Sequence, residues 1–140
     1  MRAPGGQFSR RRAFLATLGA AWLGYGAGII IDPRYGTARG LGTVVRYVPL
    51  DALGGIWVGC GLLALAAAWA ASCPRVQAAG FAALATPAAL WGAAFTVSWA
   101  GGGFPSAGGS AAAWVGFALS VVWVSGMDDP LPPRLRKRFR

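Results

Sequence analysis

Few side chains in this sequence could carry out catalysis or bind a metal ion. The chain has no His, Glu or Asn. Its acidic residues are Asp32, Asp51, Asp128 and Asp129. Its two cysteines, Cys60 and Cys73, are predicted to lie on one helix, where helical rise would separate them by about 20 Å, too far for a disulfide bond. Without His or Glu they cannot complete an ordinary zinc site. The sequence therefore predicts a protein that is not an enzyme, with no catalytic residue, no metal site and no cofactor.

The most recognisable motif is the basic stretch that opens the first apolar segment. It reads "SRRRAFL" from Ser9 to Leu15 and matches the core of a twin-arginine export signal at Arg11 and Arg12. Such a motif is either a signal that is removed or an anchor that stays. The apolar run continues to Ile31 without a convincing A-x-A cleavage site, and more apolar segments follow that need no folded export route. We therefore predict a retained membrane anchor.

Charged residues are too scarce for a soluble protein of this length. They make up 12% of the 140 residues, against about 25% in an ordinary soluble domain, while 56% of residues are apolar. Mean hydropathy is +0.52. Four segments carry no charge, namely 13–31, 52–71, 78–100 and 109–127. Each is close to the roughly 20 residues that a helix needs to cross a bilayer, and unbroken apolarity excludes a transmembrane β-barrel.

These segments predict an all-α fold, a polytopic transmembrane bundle of four helices. Residues 1–12 would form a basic cytoplasmic N-terminal tail, residues 13–127 the transmembrane domain and residues 128–140 a Pro-rich basic cytoplasmic tail. The fourth segment has a short strongly apolar centre, so a helix lying in the interface is its alternative. No segment contains an ionisable side chain, which argues against coupled transport.

The distribution of basic residues predicts the orientation in the membrane. With the N-terminus inside, only Arg34, Arg39 and Arg46 of the 13 basic residues fall in outer connections. This asymmetry follows the positive-inside rule and places both termini in the cytoplasm. We expect a multi-pass protein of the inner membrane of a bacterial, or phage-infected, cell.

The connection after the first segment is the one sizeable piece outside the apolar segments. Its apolar residues have the spacing of one helical face. They are Leu41, Val44, Val45 and Val48. A short interfacial helix in this outer loop is one prediction, and an irregular loop is the other, because Gly40 and Gly42 weaken a helix.

Small residues repeat at every fourth position in the first two segments. They are Ala20, Gly24 and Gly28 in the first, and Gly55 and Gly59 in the second. In lipid, such stripes let helix backbones approach closely enough to pack. We predict that they are helix-packing residues, either within one chain or between the chains of a homo-oligomer.

A proline in the third segment predicts a bend. Pro87 lacks the backbone donor that a helix interior requires, so the helix should kink near 83–87, with the Thr86 hydroxyl available to the freed carbonyls.

The tryptophans are predicted to fall into two groups. Trp57, Trp99 and Trp114 lie near the outer ends of their segments and Trp69 and Trp123 near the inner ends. Those positions are consistent with interfacial aromatic belts. Trp22 and Trp91 are deeper, and we expect them to pack between helices.

The basic residues next to the apolar segments predict a lipid partner. The membrane-surface residues are Arg10, Arg11, Arg12, Arg134, Arg136, Lys137, Arg138 and Arg140. Prolines in "DDPLPPRLRKRFR" favour an extended tail, whose basic residues would bind the anionic lipids of the inner leaflet. Nucleic acid is the weaker alternative, because no domain positions the tail on it.

The layout as a whole resembles small four-span integral membrane proteins of actinobacteria and their phages, which are holin-like or unassigned. The features that carry the resemblance are the basic start, "VPLDALGGIW" at the second segment and the tail "DDPLPPRLRKR". The resemblance implies a membrane protein without catalytic residues. Its most concrete function would be holin-like permeabilisation of the membrane. The alternative is an adaptor or scaffold that binds a protein partner through the outer loop or the basic tail.

Overall fold

Four long helices and two short ones make up residues 9–32, 35–70 and 73–127, the part of the chain that the computed structural model describes. In chain order they are α1 (Arg10–Ile31), α2 (Tyr35–Gly40), α3 (Gly42–Val45), α4 (Leu50–Trp69), α5 (Pro74–Ala100) and α6 (Ala107–Gly126). The helices α1, α4, α5 and α6 are each long and apolar enough to cross a membrane, and no strand occurs among the described residues. The predicted all-α bundle of four membrane helices is confirmed. Its fourth segment forms a helix of 20 residues.

Residues at the helix boundary, rather than charges, decide where two of the long helices begin. α1 starts at Arg10 because Ser9 caps it, its side-chain oxygen accepting a hydrogen bond of 3.3 Å from the Arg12 backbone N–H. α5 starts at Pro74, before the uncharged segment, because the fixed φ of proline suits the first helical position. Cys73 is therefore the N-cap of α5. The prediction that it lies on the same helix as Cys60 is wrong, because α4 ends at Trp69.

The long helices pack as two antiparallel pairs. α1 pairs with α4 and α5 with α6, while contacts between α4 and α5 join the pairs. The start of α1 and the ends of α4 and α6 therefore meet at one end of the bundle, which we call the arginine end. The short helices α2 and α3 lie at the opposite end and pack on α5.

Glycines one heptad apart hold α1 and α4 together. A methyl group at Gly26 would come within 2.6 Å of the Gly54 carbonyl oxygen, and one at Gly54 within 2.9 Å of the Gly26 carbonyl oxygen. Gly19 and Gly61 form the same reciprocal contact, at 2.9 and 2.7 Å. Because the backbones themselves touch, neither helix has room for a side chain at these positions. We call these four residues the glycine seam.

The small-residue stripes predicted from the sequence lie on a different face. The residues Ala20, Gly24, Gly28, Gly55 and Gly59 are all exposed. A methyl group at any of these glycines would meet no atom within 4 Å. They do not pack helices within the chain, because the buried residues of α1 follow one another in alternating steps of four and three, and the stripe on α1 falls outside that pattern. Packing between chains stays a prediction.

An aromatic cluster fills the centre of the bundle. Its members are Trp22, Tyr25, Trp57, Trp91, Trp114 and Phe117. Trp57 lies at its centre, 0% exposed, with four other rings at centroid distances of 5.2 Å or less. The rings of Trp22 and Phe117 join α1 to α6, which meet through large side chains.

The tryptophan predictions are partly confirmed. Trp22 and Trp91 are buried between helices, as expected. Trp57 and Trp114 were placed wrongly in an interfacial belt, because they point into the cluster. Position along a helix sets the depth of a residue, whereas the face it occupies decides whether it meets lipid or protein. Trp69, Trp99 and Trp123 are exposed, as a belt requires.

The segment between α1 and α4 is helical and packs on the bundle. Leu41 separates α2 from α3 and is 1% exposed, while Val44, Val45 and Val48 pack against the core at partly buried positions. The helical prediction is confirmed, although as two short helices instead of one. The backbone of Gly40 lies directly against the Phe95 ring, with no space for a Cβ atom, which fixes the segment to α5.

Helix α5 continues through its proline. Pro87 is buried, and the Thr86 hydroxyl donates to the Ala82 carbonyl at 2.8 Å. From α1, the Trp22 indole N–H donates to the Leu84 carbonyl at 3.2 Å. These two side-chain donors add hydrogen bonds to carbonyls of the turn before Pro87, which has no backbone N–H of its own to donate. The kink itself stays a prediction.

Candidate functional site

Two arginines at the start of α1 are bound to the ends of other helices. The Arg12 Nε donates to the Ala68 carbonyl at 2.7 Å, and its Nη2 to the Trp69 carbonyl at 3.5 Å. These carbonyls belong to the last turn of α4, where backbone acceptors lack helical partners and the helix dipole is negative. α4 has no basic residue in its own last turn. Arg12 therefore supplies the charge and the donors that cap α4 from outside.

Arg11 makes the corresponding contact with α6. Its Nη1 donates to the carbonyl of Met127, the C-cap residue of α6, at 3.0 Å. Its guanidinium lies over the Phe81 ring of α5, 5.1 Å from the ring centroid, within the range of a cation–π interaction. One side chain thus connects α1, α5 and α6. The Arg11 Nε is buried and has no hydrogen-bond acceptor.

The predicted membrane-surface arginines therefore divide into two kinds. Arg10 is exposed, together with Arg75 at the same end, while Arg11 and Arg12 are half-buried against protein. Arg134, Arg136, Lys137, Arg138 and Arg140 lie outside the described residues. The sequence did carry a signal for the capping role. Three cations in the first turn of a helix oppose its dipole, which indicates compensating groups elsewhere in the fold.

Removing the Arg12 cap should destabilise the bundle. We expect Arg12→Gln to lower the free energy of unfolding by about 2 kcal/mol, because charge-assisted hydrogen bonds to part-buried carbonyls are lost. Arg10→Gln removes the same charge from the same turn and should change stability by less than about 0.5 kcal/mol. Denaturant unfolding in detergent micelles, followed by circular dichroism, measures both. Equal losses for the two variants would indicate a charge effect without capping.

A lateral cleft borders Arg11 between α5 and α6. Its volume is about 280 Å³. It is lined by Arg11, Ala78, Phe81, Ala82, Ala85, Val121, Val122 and Ser125. Ala78, Ala82 and Val122 are exposed, so the cleft opens to the outside of the bundle. Among the described residues that line it, Arg11 is the only charged one.

Neither of two smaller clefts brings together side chains that could carry out catalysis or bind a metal ion. One, of about 180 Å³, lies beside Gly24, Gly28 and Asp32. Another, of about 120 Å³, is apolar and lies beside Pro87 and Leu41. In the described part of the chain, no three His, Cys, Asp or Glu residues are grouped to hold a metal ion. Cys60 and Cys73 are free thiols.

Comparisons with known proteins give no further guide to this site. The chain matches no family model, no curated protein and no solved structure. Its function has to be argued from the arginine end, the lateral cleft and the packed interior.

The interior of the bundle offers no polar path across it. Among the described residues, no polar or charged residue is buried, and the aromatic cluster occupies the space between the helices. A water-filled passage needs polar groups or open volume, and one copy of this bundle supplies neither along its axis.

Proposed function

We propose that this protein is a non-enzymatic integral membrane protein that acts by self-association and permeabilises the membrane in a holin-like manner. The observation that carries the proposal is the division of its small residues into two sets. The glycine seam holds α1 to α4 within one chain, whereas Gly24, Gly28, Gly55 and Gly59 form open, exposed stripes. Exposed stripes of this kind allow helices of separate chains to approach closely in lipid.

The packed interior supports a pore between copies. The aromatic cluster closes the centre of each bundle, so an opening would have to be lined by the outer surfaces of several copies. The four long helices have about the right length to cross a bilayer, and the small stripes on α1 and α4 are adjacent to the closely paired backbones.

The proposed setting is the inner membrane of a bacterial or phage-infected cell, with both termini in the cytoplasm. Arg10 and Arg75 are exposed at the arginine end, where they would meet anionic lipids of the inner leaflet. The layout shared with four-span proteins of actinobacteria and their phages supports this origin.

Induced expression with a voltage-sensitive dye tests the proposal. We expect the natural chain to dissipate the membrane potential and stop growth abruptly once it accumulates. The double variant Gly24→Leu, Gly28→Leu should delay or abolish this effect by blocking the exposed stripe. Gly116→Leu, at an equally open glycine on α6, is the matched control and should act like the natural chain. A normal membrane potential at high expression would contradict permeabilisation.

An adaptor is the second candidate. Tyr47, which follows α3, is 85% exposed, and its neighbour Arg46 is exposed as well, leaving an aromatic and a cation free for a protein partner. A crosslinker placed at Arg46 distinguishes the two functions. A normal membrane potential together with one specific crosslinked protein would favour the adaptor, while crosslinks only to lipid or to the chain itself would count against it.

A further inference from the structure

We propose that the lateral cleft binds one anionic phospholipid, with the phosphate at Arg11 and an acyl chain along α5 and α6. This inference goes beyond the proposed permeabilisation and does not depend on it.

The guanidinium of Arg11 has unused capacity for an anion. It carries five N–H donors in a planar fork. Nη1 is bound to the Met127 carbonyl and the buried Nε is out of reach of a ligand, while Nη2 has no acceptor among the described residues. Phosphate and carboxylate oxygens are the strong acceptors for such a donor.

Charge complementarity favours an anion over a neutral group. The acids in the described part of the chain are Asp32 and Asp51, at the end of α1 and the start of α4. Both belong to the end of the bundle opposite Arg11. Arg10 and Arg75 add positive charge at the arginine end. Asp128 and Asp129, which follow Met127 in the sequence, lie outside the described residues. The described part of the arginine end is positively charged.

The rest of the cleft has the chemistry of an acyl-chain site. Ala78, Ala82 and Ala85 follow one face of α5 and form a trough about 10 Å long. Val121 and Val122 of α6 provide the other wall. The Ser125 hydroxyl, the remaining polar group, donates to the Val122 carbonyl at 2.6 Å and is already hydrogen-bonded.

The position of the cation relative to the trough fits a phospholipid. Arg11 is in the first turn of α1 and contacts Met127, the first residue after α6, so it lies where the helices leave the hydrocarbon region. Lipid phosphates lie at the same level, and the trough runs from there toward the middle of α5. A single molecule with an anionic head and an apolar chain satisfies both parts of the site.

Native mass spectrometry of the full chain in a neutral detergent tests the site. We expect one phosphatidylglycerol per chain to stay bound, and phosphatidylcholine with the same acyl chains to bind at least about tenfold more weakly. Inorganic phosphate should not displace the lipid, because it cannot occupy the trough. Equal binding of the two lipids, or full displacement by phosphate, would overturn the proposal.

Two variants test the contact with the lipid phosphate and the contact with the acyl chain separately. Arg11→Gln should lower phosphatidylglycerol retention about tenfold, whereas Arg46→Gln, at an exposed arginine of the opposite end, should not. Ala82→Leu should block the trough with no change of charge, whereas Ala89→Leu, at an exposed alanine of α5 outside the cleft, should bind normally. Since Arg11→Gln also removes a helix cap, Ala82→Leu decides the matter if Arg11→Gln does not fold. Normal retention in Ala82→Leu would exclude the site.

Discussion

Replacing Trp57 with alanine is expected to lower the free energy of unfolding by about 3 kcal/mol. Trp57 is fully buried and contacts four other aromatic rings, so its loss leaves a large cavity at the centre of the bundle. In lipid the transfer of an apolar side chain into protein gains little, and the loss consists mainly of packing and ring–ring contacts. The value should therefore lie at the lower end of those measured in soluble cores.

Two variants give this prediction its controls. Trp123→Ala removes the same side chain from a site that is 69% exposed, and it should change stability by less than about 0.5 kcal/mol. Trp57→Phe keeps a ring and removes an indole N–H that is buried without an acceptor, so it should retain most of the stability. Denaturant unfolding in micelles measures all three. If Trp57→Ala and Trp123→Ala lost equal stability, the cluster would not be the core of the fold.

Alanine at Gly26 is expected to destabilise the bundle, and alanine at Gly24 to leave it unchanged or slightly more stable. At Gly26 the new methyl group would meet the Gly54 carbonyl oxygen at 2.6 Å and force α1 and α4 apart, at a cost of about 2 kcal/mol. At Gly24 no atom lies within 4 Å, so only the better helix propensity of alanine acts, up to about 0.8 kcal/mol. The two substitutions are chemically identical and lie within one turn of each other.

Thermal unfolding in the same detergent, with oligomeric state followed by light scattering, compares them. The Gly26 variant should unfold at a lower temperature, and the Gly24 variant should not. A lower unfolding temperature for both, or for Gly24→Ala alone, would place the α1–α4 contact on the other face.

The membrane helices could be predicted because lipid restricts the choices of the backbone. A long apolar segment without water must form all its hydrogen bonds internally, so length and composition determine the four helices and nearly their ends. The same reasoning failed for the faces of those helices. α1 contains Gly19, Gly24, Gly26 and Gly28, of which the four-residue spacing picks out Gly24 and Gly28 as packing residues. Which of them touches α4 depends on the antiparallel pairing, a contact between distant parts of the chain.

The candidate site could be predicted even less, for the same reason. The sequence marks the basic residues at the start of α1 as membrane-surface residues, which stays a prediction. The partners of Arg11 and Arg12 are the carbonyls of Ala68, Trp69 and Met127, far along the chain. Because every residue has a backbone carbonyl, the sequence does not show which carbonyls accept these hydrogen bonds. The lateral cleft likewise exists only where the start of α1 meets α5 and α6.

The arginine contacts have a consequence for the order in which the protein assembles. Synthesis proceeds from the N-terminus, so Arg11 and Arg12 are made first, at the end of a helix whose dipole repels them. Arg12 gains its acceptors only after α4 is complete, and Arg11 gains the Met127 carbonyl only when the last helix has been made. The hydrogen bonds of the first turn of α1 are thus completed only when α6 and its C-cap residue have been made. A chain that stops after α5 lacks the Met127 carbonyl that accepts from Arg11.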